Sequence, residues 1–232
     1  MSQSSYIHLS STHRVNYPTS DPANCTINLP YKIQGCKSYY MVQFASANTY
    51  YNITPDTNKF ELNAGVITLT QGNYNLGELL TEIQTKMGAG YSVVYDDILS
   101  SITISNAGVF TLDFGTNTVY RNLGNMLGFT QDTYAGNNTY SSELPPFLYD
   151  NNLFITMNWG SGVLSSDQKS YTMTVINNSN KSEIFNHFSN TVFLHKIPFV
   201  SDNITKVDIK MTDKYGRQLI KCSEWNMTIS LV

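Results

Sequence analysis

The sequence predicts an antiparallel all-β sandwich interrupted by one small α+β insertion, and three observations predict it. The first is alternation at the end of the chain. Val207, Ile209 and Met211 alternate with Lys206, Asp208, Lys210 and Thr212, and Trp225, Met227, Ile229 and Leu231 alternate with Glu224, Asn226, Thr228 and Ser230. A period of two sustained over that length belongs to a strand buried on one face. With Asp213-Lys214-Tyr215-Gly216 as a tight turn between them, the two runs are expected to pair, the second as the last strand of a closed sandwich with no tail beyond it. The second observation is composition. Charged residues make up 13% and aromatics 12%, with 16 tyrosines, so Asn, Ser, Thr and Tyr must cover the surface, as in β-proteins with long loops or extensive subunit contacts. The third is that helical spacing is limited to short stretches, two in the middle of the chain and a brief one over 181–188.

The elements follow in order. Residues 1–22 are polar, carry Pro18 and Pro22, and are expected as an extended arm that orders against a partner. Residues 26–29 form a strand with Ile27 and Leu29 on one side, residues 30–37 a link, and residues 39–45 a mostly apolar strand. Residues 60–62 and 66–69 make a hairpin, because Asn63-Ala64-Gly65 supplies the turn residues that positive φ requires. The period then changes. Leu76, Leu79, Leu80, Ile83 and Met87 recur at threes and fours behind Asn75, a good N-cap, and Gly88 and Gly90 end the helix.

Tyr91, Val93 and Tyr95 alternate up to an Asp96-Asp97 turn, Ile102 and Ile104 return, and Phe110, Leu112 and Phe114 continue the sheet. A shorter helical pattern over 119–127 places Val119, Leu123, Met126 and Leu127 on one side and stops at Gly128. Residues 130–152, rich in Gly, Asn and Ser and carrying Pro145-Pro146, are expected as the longest loop, an excursion within one sandwich rather than a linker. Leu153, Ile155, Met157 and Trp159 then alternate, as do Tyr171, Met173 and Val175, with Gly160-Ser161-Gly162 opening the loop between them. Residues 181–188 fit a brief helix and 191–197 a strand ahead of Pro198. The domain plan is an arm over 1–22 and a single domain over 23–232, with the insertion at about 63–130.

A formal net charge of −3 provides no field to attract phosphate, which argues against non-specific nucleic-acid binding. The lysine-rich stretch Lys206, Lys210, Lys214, Arg217 and Lys221 is interleaved with Asp208 and Asp213 and reads as a solvated strand face. The first residues are polar and no long apolar run follows, so neither a signal peptide nor a membrane span is expected, and synthesis in the cytoplasm is. Cys25, Cys36 and Cys222 cannot all pair within one chain and are expected as reduced thiols. Several Asn-X-Ser/Thr triplets, among them Asn52, Asn137 and Asn203, are about as frequent as this composition produces by chance.

The search for chemistry yields no catalytic, cofactor-binding or metal-ligating assignment. His8 and His13 lie in the arm, and His187 and His195 have no Cys or acidic pair at ligand spacing, so all four read as surface or structural. Asp96 and Asp97 are adjacent in a turn, where an Asp side chain bonds nearby amides. The glycines near 88 and 160 lack the spacing and following Lys of a phosphate loop, and Ser161 lacks the rest of a nucleophile elbow. Tyr39, Tyr40, Tyr50 and Tyr51 have faces that stack on sugars or bases, but in strands such residues more often fill a core or a subunit interface.

NCTINLPYKIQGCKSYYMVQFASA, starting at Asn24, resembles the opening of the penton-type minor capsid proteins of polinton-like viruses, virophages and related large DNA viruses. ITLTQGNYNLGELLTEIQTKM from Ile67, YSVVYDDILSSITISNA from Tyr91 and NMLGF from Asn125 are similar to the helix-bearing insertion of that family. VDIKMTDKYGRQLIKCSEWNMTISLV at the end is similar to its last hairpin. The resemblance implies a single jelly roll without an active site or cofactor. Its copies would form a homopentamer that closes the fivefold vertices of an icosahedral virion, in contact with a double-jelly-roll major capsid protein and other inner capsid proteins. The helical block is large for a minimal jelly roll and is expected as a separate small lobe. The competing expectation is a receptor- or glycan-binding β-module of a viral spike, fibre or tail, which is β-rich and rich in Tyr and Asn as well.

Overall fold

The computed structural model of the chain describes residues 5–115, 122–148, 152–160, 171–176, 184–188, 197–198, 203–213 and 216–232. In chain order the elements are β1 (Ser5–Ser10), β2 (Asn24–Ile33), β3 (Ser38–Ala47), β4 (Lys59–Leu62), β5 (Gly65–Thr68), α1 (Leu76–Met87), β6 (Tyr91–Asp96), β7 (Ser101–Asp113), α2 (Leu123–Leu127) and β8 (Thr133–Ser141). They continue with β9 (Asn152–Gly160), β10 (Tyr171–Ile176), β11 (Ile184–Phe188), β12 (Ile197–Pro198), β13 (Ile204–Thr212) and β14 (Trp225–Leu231). Strand pairing among these elements is antiparallel throughout. The protein is therefore an all-β sandwich with a small helical insertion, and it divides into two compact units, Met1–Tyr50 with Asp150–Val232, and Tyr51–Tyr149.

The first unit holds two sheets, ordered β1-β14-β3-β11, with β12 also on β3, and β10-β9-β13-β2. Numbering its eight longer strands along the chain, these orders are 1-8-3-6 and 5-4-7-2, the double Greek key of a jelly roll. Alternation supplies the core. Ile7 and Leu9 of β1, Tyr39, Met41 and Phe44 of β3, Ile155 and Met157 of β9, Val207, Ile209 and Met211 of β13, and Trp225, Met227 and Ile229 of β14 belong to one buried cluster. Phe44 stacks on Trp225 with ring centres 6.1 Å apart, and Tyr39 meets Trp159 edge to face at 5.1 Å. Each fully buried large apolar side chain is worth about 1.5–3 kcal/mol, so this cluster is the main source of the unit's stability.

Several expectations change here. The last two strands do not form a hairpin, because β13 lies between β9 and β2 while β14 lies between β1 and β3 in the other sheet. After a turn in which Gly216 (φ 77°) donates to the Asp213 carbonyl at 3.0 Å, the chain returns along β13 only as far as a bridge between Gln218 and Thr212, and then crosses over. Alternation fixes which face is buried, and both runs bury theirs in the same core. It does not choose the lateral partner, which backbone hydrogen bonds select.

Residues 1–22 are likewise not a free arm over their described part. Ser5–Ser10 pairs with β14 from Ser5 opposite Leu231 to Ser10 opposite Asn226. The strand escapes sequence reading because just two of its residues, Ile7 and Leu9, face the core. β2 runs through Pro30, expected in a link, because β2 is an edge strand whose register slips between Ile204 and Lys206, where a missing N–H costs no ladder bond. Ile184–Phe188, expected within a brief helix, is a strand on β3, where pairing with residues 43–47 overrides a weak helical pattern. The 161–162 loop residues, 119–121 and 191–196 lie outside the described residues.

The second unit has its own sheet, β5-β4-β7-β6 with β8 on β7, and its own buried cluster, which includes Phe60, Leu79, Ile83, Ile104, Phe110, Phe114, Leu127 and Phe129. The expected hairpin is β4–β5, with Asn63 and Ala64 at φ 50° and 64°. The expected helix is α1. Asn75 Oδ1 accepts from the Glu78 N–H and Glu78 Oε2 accepts from the Asn75 N–H, each at 2.9 Å, a reciprocal capping box. α2 ends at Gly128, whose φ of 89° suits glycine, and Gly124 lets that helix close onto Phe114. β8 falls inside the span expected as a loop. Its register against β7 slips twice, Gly136 sits at φ 87°, and its core contribution comes from Tyr134 and Tyr140, so no alternation shows.

Candidate interaction surfaces

The residues weighed for chemistry occupy structural positions. His8 Nδ1 shares a hydrogen bond of 3.0 Å with Thr228 Oγ1 across β1 and β14. His13 lies in the 3-10 turn that follows β1, His187 is carried on β11, and His195 lies outside the described residues. Asp96 Oδ1 accepts from the Ile98 and Leu99 amides at 2.8 and 3.0 Å, so this carboxylate is committed to its turn. Burial pushes the Cys25 thiol up to about 11, against the partial opposition of Arg14, and pushes Cys222 up to about 12. Both stay neutral near pH 7 and behave as small apolar groups rather than nucleophiles. Among the described residues no group of three or more His, Cys, Asp or Glu is placed to hold a metal ion, and no helix is long and apolar enough to cross a membrane.

A polar knot that sequence reading misses fastens residues 11–22 to the start of β14. Arg14 is buried. Its Nη1 donates to Glu224 Oε2 and to the Ser11 carbonyl, both at 2.6 Å, its Nε donates to the Ser20 carbonyl at 2.8 Å, and its Nη2 donates to the Pro18 carbonyl at 3.2 Å. Ser11 Oγ donates to Glu224 Oε2 and accepts from the Trp225 amide at 2.8 Å, while Trp225 Nε1 donates to the Pro22 carbonyl at 2.9 Å. Guanidinium donors satisfied on several sides make the buried charge tolerable. The sequence holds no pattern linking Arg14 to Glu224, since 210 residues separate them.

The outward faces of the two jelly-roll sheets differ in chemistry. β13 presents Lys206, Asp208 and Lys210, with Lys206 Nζ 3.7 Å from Asp208 Oδ2 and Thr26 Oγ1 donating to Asp208 Oδ1 at 2.6 Å, a solvated charged row. On the other sheet, Tyr6 and Tyr40 flank Ser230 in register, and His8 lies opposite Thr228, which lies opposite Gln43. This second row has no Lys, Arg, Asp or Glu. Of the tyrosines singled out above, Tyr39 and Tyr50 are buried, while Tyr40 and Tyr51 are half-buried.

Two further features stand out. In the second unit the β6–β7 tip exposes Ile98 at 93% and Leu99 at 72%, although turns favour polar residues there. The Asp96 hydrogen bonds and Ser100 at φ 51° set the tip's backbone. In the first unit a cleft of about 400 Å³ is lined by the apolar Pro22, Leu219, Ile220 and Cys222 and by the polar Thr19, Asp21, Gln218 and Lys221. Lys221 is exposed and held at φ 58°, and Asp21 Oδ2 accepts from Gln218 Nε2 at 2.7 Å. The only signal for the tip in the sequence is that two aliphatic residues follow the Asp96-Asp97 pair where a turn is due.

No family model matches the chain, and no curated protein matches it. Among solved structures, a chain of the Sputnik virophage in its 3.5 Å cryo-EM structure aligns with 100% of this chain and 98% of its own length, at a TM-score of 0.46 and 11% identity.

Proposed function

We propose that this chain is a structural minor capsid protein of the penton type, five copies of which form a ring closing a fivefold vertex of an icosahedral virus shell. The observation that carries the reading is the strand order of the first unit, the jelly roll that the sequence resemblance implies, with the second unit inserted between its third and fourth strands. A cyclic ring needs a heterologous interface, in which two different surfaces of the subunit meet around the axis. The charge-free, Tyr-bearing row across β1, β14 and β3 on one sheet and the charged row of β13 on the other are surfaces of contrasting character. In this reading the chain has no catalytic role and no cofactor, is made in the host cytoplasm and resides in the virion. It contacts a double-jelly-roll major capsid protein and inner capsid proteins, with no specific nucleic-acid binding.

The test is the mass of the purified protein by light scattering, alone and with the major capsid protein, followed by negative-stain class averages. Five-membered rings, or fivefold vertices formed with the partner, are the expected result. A stable trimer, or a monomer indifferent to the partner, overturns the reading in favour of a receptor- or glycan-binding module.

A further inference from the structure

We infer that copies of this chain join by inserting the Ile98–Leu99 tip of one copy's second unit into the Pro22–Leu219–Ile220–Cys222 cleft of another copy's first unit. The inference deepens the ring reading and rests on it for the number of copies. Three observations carry it. The tip presents two consecutive aliphatic side chains almost wholly to solvent, on a backbone set by the Asp96 carboxylate, so ordering it on binding costs little. The cleft is of a size that accepts such side chains, and its lining is half apolar and half polar, with the exposed Lys221 among the polar half.

Charge then chooses the occupant. The second unit carries three Lys and Arg against nine Asp and Glu, a net of −6, and the first unit carries eleven against eight, a net of +3. The two units are thus of opposite net charge, so a second copy brings to each unit the charge it lacks, and the acidic unit is repelled from an anionic lipid surface. At the contact itself Asp97 flanks the tip and Lys221 flanks the cleft, while Asp21, already held by Gln218, is the like charge that the arrangement must accommodate. Because tip and cleft are different surfaces, the contact is heterologous, the kind that closes rings.

The experiment is sedimentation velocity of the full chain over a concentration series, for the wild type, Ile98→Asp with Leu99→Asp, Lys221→Glu, and Asp97→Lys with Lys221→Glu. The wild type is expected to self-associate, and the tip variant to weaken association about tenfold or more, as loss of a buried apolar anchor does. Lys221→Glu should weaken it several-fold, and adding Asp97→Lys should restore most of that loss. The tip variant should melt like the wild type, since neither side chain belongs to the buried cluster of its unit. A tip variant that associates like the wild type, or a wild type that stays monomeric throughout, overturns the inference. Electron microscopy of the same samples separates the two readings: fivefold rings indifferent to the tip substitutions keep the ring and discard the contact, and tip-dependent assemblies without fivefold symmetry do the reverse.

Discussion

The two units are built from the same alternating runs, yet they differ in where each strand finds its neighbour. In the second unit most chain neighbours are sheet neighbours: β4 pairs β5 across two residues, β6 pairs β7 across four and β7 pairs β8, while β5 and β6 lie at opposite ends of the sheet. In the first unit most steps along the chain change sheet, as from β1 to β2, β2 to β3, β3 to β9, and β13 to β14, with β9–β10 and β11–β12 the exceptions. Its first strand pairs with its last. The second unit is therefore specified by local contacts, which form early and cheaply, whereas the first requires loop closure across most of the chain before its core rewards it.

Removing residues 1–22 tests this contrast most severely. The deletion strips Ile7 and Leu9 from the core, each worth about 1.5–3 kcal/mol, and leaves Glu224 and the edge of β14 without partners. We expect the first unit to lose cooperative unfolding while the second keeps its helical and near-ultraviolet signals, readable by circular dichroism. An unchanged melt of the truncated chain would show β1 to be dispensable and would break the comparison. Trp225→Ala comes next, at about 3–5 kcal/mol, because it opens a cavity against Phe44 and removes the hydrogen bond to the Pro22 carbonyl. Its loss should appear in the transition of the first unit alone, as followed by denaturant titration.

How much was legible in the sequence follows the same divide. The helix over 76–87, its Asn75 cap and the Asn63-Ala64 hairpin were readable, because each is decided by residues within one or two turns of one another. The buried faces of β9, β13 and β14 were readable as well, since a period of two states the face directly. What was not readable is long-range. Nothing in Ser5–Ser10 announces β14, nothing in Arg14 announces Glu224, and Gly136-Asn137-Asn138 disguises β8 as a loop. The candidate surfaces were less legible still, because the meaning of Ile98 and Leu99 depends on their exposure, which no local pattern encodes.

The second unit allows a sharper version of the contrast, because single atoms there should have effects confined to it. Gly128→Ala would place a Cβ 1.9 Å from the Leu144 carbonyl oxygen at a φ of 89°. The strained backbone alone is worth about 1–3 kcal/mol, and the clash adds to it. The helical signal should melt earlier while the transition of the first unit holds, as a two-transition thermal melt would reveal. A single merged shift would instead mean that the units unfold together.

The smallest expected effect is a dependence on acid. Burial pushes the Glu143 carboxyl up, but the hydrogen bonds from Tyr134 Oη at 2.8 Å and the Thr130 amide at 3.0 Å together outweigh it and hold the group below its ordinary value. Tyr134 is displaced the opposite way, raised by burial and by its acidic partner. A carboxyl with a folded value below its unfolded one stabilises the fold above the unfolded value, near 4.3. That contribution fades as pH falls through the folded value. The second unit should therefore lose stability on acidification below about pH 4.3, and Glu143→Gln should flatten that part of the profile. The substitution should lower stability at pH 7 by less than about 1 kcal/mol, because the side chain is exposed and solvent screens it. Melts from pH 7 to pH 3 on both proteins check it: parallel profiles would assign the acid sensitivity to other carboxylates, and a flattened one would locate it in the network that joins β8 to the residues after α2.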